Sequence, residues 1–179
     1  EYEPILIHHL LSHTAGIING TDQSGESYYD VYALRDTRTF APPGEKFHYS
    51  NVGYKTLGVL IEHILDQPYA EIIRQGVLDP VITHDTREKM AVGYVPARDD
   101  RPPATPRRWN PATWLETATG DGCIASTVGD MAKYMRMYLN KGKEGVLSST
   151  GFERMTTPVI NRTEENQYGH GLAIHTKED

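Results

Sequence analysis

Residues 50–65 constrain the fold more than any other stretch of this chain. Ser50 or Asn51 can cap a helix whose apolar positions follow as Tyr54, Leu57, Leu60, Ile61, Ile64 and Leu65. Steps of three, four and seven put these side chains on one stripe of a 3.6-residue helix, and such a stripe has to pack against something. Gly53 and Gly58 fall inside the pattern, each costing about 1 kcal/mol relative to Ala in a helix interior. Their presence points to another backbone passing close. Ala41-Pro42-Pro43-Gly44 is a turn, so the helix is entered from a rigid corner. Near the other end of the chain the period changes. Tyr168, His170, Leu172 and Ile174 alternate as in a strand, with Gly169 and Gly171 on the opposite face, where close packing is expected.

The remaining elements follow from caps and breakers. Pro4 suits the first turn of a helix carrying Ile5, Leu6, His9, Leu10 and His13, which Gly16 can end. Residues 19–30 are polar and read as a loop, and 28–34 as a short helix. Pro68 opens a helix with Tyr69, Ile72 and Ile73 inward, ending near Gly76 and closed by Leu78-Asp79-Pro80. A short strand is expected over 90–95. Residues 96–111 hold five prolines and four arginines, which resist regular structure. Ser126 or Thr127 caps a helix with Met131, Tyr134, Met135, Tyr138 and Leu139 in its core face, stopped near Gly142, and another helix follows Ser148.

The 179 residues suffice for one domain with a true core, since a chain of this size buries roughly 70% of its unfolded surface. A net charge of −6 argues against general affinity for nucleic acid. One cysteine excludes an internal disulfide. No apolar run approaches the roughly 18 residues of a membrane span. Both ends read as cuts, so the chain is expected to be an interior piece of a longer protein; localisation and oligomeric state are left open.

The rigid corner carries Tyr49-Ser50-Asn51. A Tyr-x-Asn tripeptide alone discriminates nothing, and a second copy, Tyr138-Leu139-Asn140, falls in an amphipathic helix where it reads as structural. Context separates the two, because Tyr49 follows a Pro-Gly turn and precedes a capped helix. The segment resembles the second catalytic motif of the serine β-lactamase and penicillin-binding-protein superfamily, in the version shared by class C β-lactamases, D-aminopeptidases, some DD-peptidases and family VIII esterases. Four further segments resemble that group in the same order. They are His9-Leu10-Leu11-Ser12-His13-Thr14-Ala15-Gly16-Ile17; residues 67–80, with Val81-Ile82 in place of the usual Leu-Gly; Gly122-Cys123-Ile124-Ala125-Ser126-Thr127-Val128-Gly129-Asp130-Met131-Ala132; and Tyr168-Gly169-His170-Gly171-Leu172.

The resemblance implies an α/β fold of the β-lactamase/transpeptidase type, with all of 1–179 in one domain. Residues 1–160 would be mostly the helical subdomain, with a short strand near 90–95, and 167–175 the first returning strand of the antiparallel sheet. It implies a serine hydrolase acting through an acyl-enzyme on an amide or ester bond: a β-lactam, a D-amino-acid peptide or a small ester. A periplasmic, secreted or envelope location is what the group favours. Serine needs an adjacent base to become a nucleophile, and the group uses a Lys three residues after the Ser, together with the motif Tyr. An unperturbed Tyr is ionised only to about one part in a thousand at pH 7, so a nearby cation must favour the phenolate or the Tyr must shuttle a proton. By resemblance Tyr49 takes that role, and Asn51 binds the substrate carbonyl and orients the Lys. Gly120, Asp121 and Gly122, on a flexible turn, are the expected substrate-binding residues. No Ser here is followed three residues later by Lys, and Lys55-Thr56-Leu57 lacks the Gly of the group's third motif and falls in a helix. The piece alone is therefore expected to be inactive. The rival reading is a non-catalytic relative that binds peptidoglycan fragments or a protein partner in the same cleft.

Other residues carry weaker alternatives. His9 and His13, four apart, could hold a metal, but no third ligand or zinc-protease Glu accompanies them; neither metal nor cofactor is expected. Cys123 reads as a small buried residue, and Arg98, Arg101, Arg107 and Arg108 as a solvated loop that could still border a cleft.

Overall fold

The computed structural model describes residues 3–20, 27–79, 91–96, 109–111, 119–122, 124–143 and 146–175. Among them are helices α1 (Ile7–Leu11), α2 (Ser27–Ala33, continued by a 3-10 turn Leu34–Asp36), α3 (Asn51–Leu65), α4 (Tyr69–Ile73, continued by a π turn Arg74–Leu78), α5 (Val128–Leu139) and α6 (Ser149–Thr156). The strands are β1 (Tyr94–Pro96), β2 (Trp109–Pro111), β3 (Ile160–Asn161), β4 (Asn166–Tyr168) and β5 (Ala173–His175). β1 and β2 form an antiparallel pair, and β3-β4-β5 an antiparallel sheet in that order. Cys123, the four loop arginines, Met90 and Pro80 lie outside the described residues.

α3 is the organising helix. The Ser50 side chain accepts a hydrogen bond from the Gly53 N–H at 2.9 Å, a cap whose loss typically costs about 1 kcal/mol. The Ser50 hydroxyl also donates to the Ile18 carbonyl at 2.6 Å, which pins the cap to a distant segment. Leu10, Ala15, Ile17 and Leu57 form the buried core, with Leu11, Leu34 and Tyr54 packed on it. The chain leaving α1 runs beside the chain entering α3, through Phe40 N–H to Gly16 O at 2.7 Å, Gly44 N–H to Thr14 O at 2.8 Å and His48 N–H to His13 O at 2.7 Å. Gly16, in the left-handed region, leaves room for the Ala41 carbonyl that a Cβ would strike.

The apolar stripe of α3 is buried only in part. Val52, Gly53, Lys55, Leu57 and Gly58 are buried, whereas Ile64 and Leu65 are exposed. α3 packs on α1, α2 and α4, and near its C-terminal end the Glu62 carboxylate accepts from the Tyr28 hydroxyl at 3.0 Å and from the Tyr69 N–H at 2.7 Å. Gly58 meets a backbone, as expected: Gly120 lies against it. Gly53 instead accommodates its own cap and the Ile17 side chain.

α1 is shorter than the expected helix and ends at Ser12, because His13 turns left-handed at φ 55°. α5 is capped by Thr127, but it faces inward with Asp130 and Met137 while Met131, Met135 and Leu139 are exposed. Asp130 can be buried because the Thr127 hydroxyl (2.8 Å) and Lys133 Nζ (3.0 Å) both donate to its carboxylate. Residues 168–174 are a hairpin rather than one strand. Tyr168 pairs with Ala173, and the intervening turn is closed by Gly169 N–H to Leu172 O at 2.9 Å, with Gly171 at φ +89°. Gly169 is closely packed, since a Cβ there would lie 2.6 Å from the Met155 carbonyl oxygen.

Candidate active site

Where the N-terminus of α3, the 119–122 loop and β4 converge, a cavity of about 240 Å³ opens. Its lining includes Tyr49, Asn51, Gly120, Asp121 and Gly122, together with His13, Tyr54, Tyr69, Ile124 and Tyr168. All five residues singled out from the sequence thus meet around one space, although up to 73 positions separate them. His9 sits inside α1, where its Nδ1 accepts the Leu6 N–H at 3.1 Å, whereas His13 lies beyond the end of that helix in a left-handed conformation. No metal-type cluster occurs among the described residues.

The Tyr49-Ser50-Asn51 corner is held from two sides. His48 N–H donates to the His13 carbonyl at 2.7 Å, and Ser50 N–H to His13 Nδ1 at 3.1 Å. Asn51 N–H donates to Asn19 Oδ1 at 3.2 Å, and Val52 N–H to the Asn19 carbonyl at 3.1 Å. The backbone between the turn and α3 therefore has little freedom. Tyr49 stands on it with 48% of its surface exposed.

Of the other three tyrosines of the wall, Tyr54 is committed elsewhere. The Tyr54 hydroxyl donates to the Leu11 carbonyl at 2.8 Å, and burial pushes its pKa well above the ordinary phenol value. Burial also raises Tyr69, with the Asp121 charge adding to it, and raises Tyr168. Raised values keep these phenols protonated, which suits them to wall and donor roles. Burial, and then the positive charge of Arg162, pushes the His13 imidazole down to about 4, so it is neutral near pH 7.

Beneath the cavity lies an ionic group that the sequence did not disclose. Lys55 is buried, with Nζ 2.6 Å from Asp30 Oδ2 and 3.8 Å from Asp121 Oδ2. It ties α2, α3 and the 119–122 loop together. The Asp121 carboxylate is thus directed toward Lys55, and its Oδ1 is buried without a hydrogen-bond partner among the described residues. Gly120 fits against α3 only because it lacks a side chain, since a Cβ would strike the Tyr54 carbonyl. His13 and Lys55 were missed as parts of this site. The one available signal was their place in or beside the resembling segments, because neither has a local pattern that announces burial.

Known proteins share this fold. A solved penicillin-binding protein homologue from Pyrococcus abyssi, described as octameric, is 30% identical over 97% of this chain and 44% of its own, with a TM-score of 0.79. D-amino acid amidase from Ochrobactrum anthropi SV3 superposes with a TM-score of 0.67 at 22% identity, over 96% of this chain and 55% of its own, which speaks for the fold. Among curated proteins, penicillin-binding protein 4* of Bacillus subtilis is 24% identical over 97% of this chain and 44% of its own length. The D-alanyl-D-alanine-carboxypeptidase/endopeptidase AmpH of Escherichia coli is 24% identical over 90% of this chain and 43% of its own. The chain thus spans less than half the length of these curated relatives. The fold is the β-lactamase/transpeptidase α/β fold in part, helices with small antiparallel sheets. The Beta-lactamase family model matches residues 1–179, and the chain belongs to that family.

Proposed function

We propose that this chain is one wall of the active site of a serine hydrolase that cleaves amide or ester bonds through an acyl-enzyme. One observation carries the reading: Tyr49 and Asn51, from the corner before α3, line the same cavity as Gly120, Asp121 and Gly122. Tyr49 is also the one exposed phenol of the four on that wall. In this reading Tyr49 passes a proton between the nucleophile and the leaving group. Asn51 binds the carbonyl side of the substrate, and the 119–122 loop shapes the floor. Proximity does much of the work, because a reacting group held by a fixed corner is already oriented. The substrates that fit this reading are β-lactams, D-amino-acid peptides and small esters.

The test uses the parent protein with the sequence on both sides of this piece. Nitrocefin, p-nitrophenyl esters and D-alanyl peptides are offered to the parent and to the isolated chain. The parent is expected to turn over at least one of them, and the isolated chain none. Tyr49→Phe in the parent is expected to lower kcat by about two to four orders of magnitude while leaving the unfolding midpoint unchanged. Full activity in Tyr49→Phe refutes the role of Tyr49. A parent that binds such compounds without turnover favours the non-catalytic relative.

A further inference from the structure

We propose that His13 is a positioning residue of the Tyr49-Ser50-Asn51 corner, acting as a neutral imidazole protonated on Nε2 and holding the backbone on both sides of Tyr49. This rests on reading that corner as catalytic.

The two hydrogen bonds straddle Tyr49. Its predecessor, His48, gives its N–H to the His13 carbonyl at 2.7 Å. Its successor, Ser50, gives its N–H to His13 Nδ1 at 3.1 Å. A nitrogen that accepts an N–H carries no proton, so the neutral ring has its proton on Nε2. Protonating Nδ1 would set two donors against each other and release Ser50, whose side chain also caps α3.

The ring braces the phenol as well. Its centroid is 4.4 Å from that of Tyr49, 4.8 Å from Tyr54 and 5.3 Å from Tyr168, within the range of packed aromatic pairs. The aromatic wall of the cavity is therefore built around this imidazole. His13 is 3% exposed, and what it exposes lines the cavity.

The backbone makes a purely passive role hard to sustain. His13 has φ 55°, a left-handed conformation that glycine or asparagine adopts at less cost. A helix exit needing only that conformation has no use for a buried imidazole. Such strain persists where surrounding structure over-determines it, and here the ring's acceptor and stacking partners supply that structure. Burial first, then the charges of Arg162 and His48, keeps the ring neutral.

Two variants separate ring from acceptor. His13→Phe keeps an aromatic ring and loses the acceptor. His13→Asn keeps a short acceptor and suits the left-handed backbone. In the ¹⁵N-labelled chain, long-range NMR correlations are expected to show His13 Nδ1 unprotonated and Nε2 protonated. The Ser50 amide signal should shift and its exchange quicken in His13→Phe, and both should return toward wild type in His13→Asn. In the active parent, His13→Phe is expected to lower kcat about 100-fold with KM little changed, the scale of a small misplacement of a reacting group, and His13→Asn to recover at least about tenfold of that. A proton on Nδ1 in the wild-type chain overturns the proposal whether or not the variants fold. So does a Ser50 amide that ignores His13→Phe. If the parent has no hydrolytic activity, the hydrolase reading falls while the tautomer and the Ser50 amide still decide the positioning. If the parent is active and His13→Phe matches it, only the positioning falls.

Discussion

Removing the Lys55 charge is the sharpest test of what holds the cavity floor in place. Lys55 and Asp30 side chains are 2% and 9% exposed, and Nζ lies 2.6 Å from one carboxylate and 3.8 Å from a second. Lys55→Met keeps the length and apolar stem of the side chain but removes the cation that both carboxylates contact among the described residues. Breaking a buried pair from one side costs about 3–5 kcal/mol, because the remaining charge stays desolvated. A domain with a total stability of roughly 5–15 kcal/mol would lose much of it. Asp30→Leu in the Lys55→Met background removes one orphaned charge, so the double variant should be more stable than Lys55→Met alone, at a net cost of about 1–3 kcal/mol, mostly from Asp121. The coupling between the two substitutions should therefore be at least about 2 kcal/mol, in the range of groups that act as one network. Urea unfolding followed by far-UV circular dichroism reads all four proteins, and parallel slopes show that only stability has changed. Additive costs, or a Lys55→Met midpoint equal to wild type, would refute the view that Lys55 is a buried counter-ion.

Acidification tests His13. Its folded pKa of about 4 lies below the unfolded value of 6.5, so between these values the unfolded state holds the extra proton. The stabilisation is whole above pH 6.5 and fades as the pH falls through 4, by about 3 kcal/mol in all; denaturation midpoints should fall over that window, and His13→Asn should flatten the fall. Ser50→Ala removes the cap of α3 and the bond to Ile18, at an expected cost of about 1–2 kcal/mol by urea titration. Gly120→Ala drives a methyl group into the Tyr54 carbonyl and should cost about 1–3 kcal/mol, with the loop displaced from α3. Gly122→Ala meets nothing within 4 Å and should stay within about 0.5 kcal/mol of wild type.

The sequence by itself determined the local grammar. Caps at Ser50, Thr127 and Ser148, the Pro-Gly corner and the helical spacing of 51–65 are near-neighbour effects, and they appear where their chemistry predicts. Order and type of segment also carried the family, because five short motifs in one order do not need a fold to be read. Which face of each element is buried was another matter. Lys55 reads from the sequence only as a helix residue outside the third motif, yet it is buried because Asp30 and Asp121, 25 positions before it and 66 after, arrive beside it. Met131 and Met135 read as core, yet Asp130 goes inward because its carboxylate is satisfied locally. Alternation over 168–174 reads as one strand, but Gly171 takes the left-handed conformation that closes a hairpin there. His13 was a helix residue by spacing and became the prop of the corner through a bond to Ser50, 37 positions away. Propensity and capping act within a turn or two of chain, whereas burial and charge pairing depend on which distant segments meet, and that only tertiary structure decides.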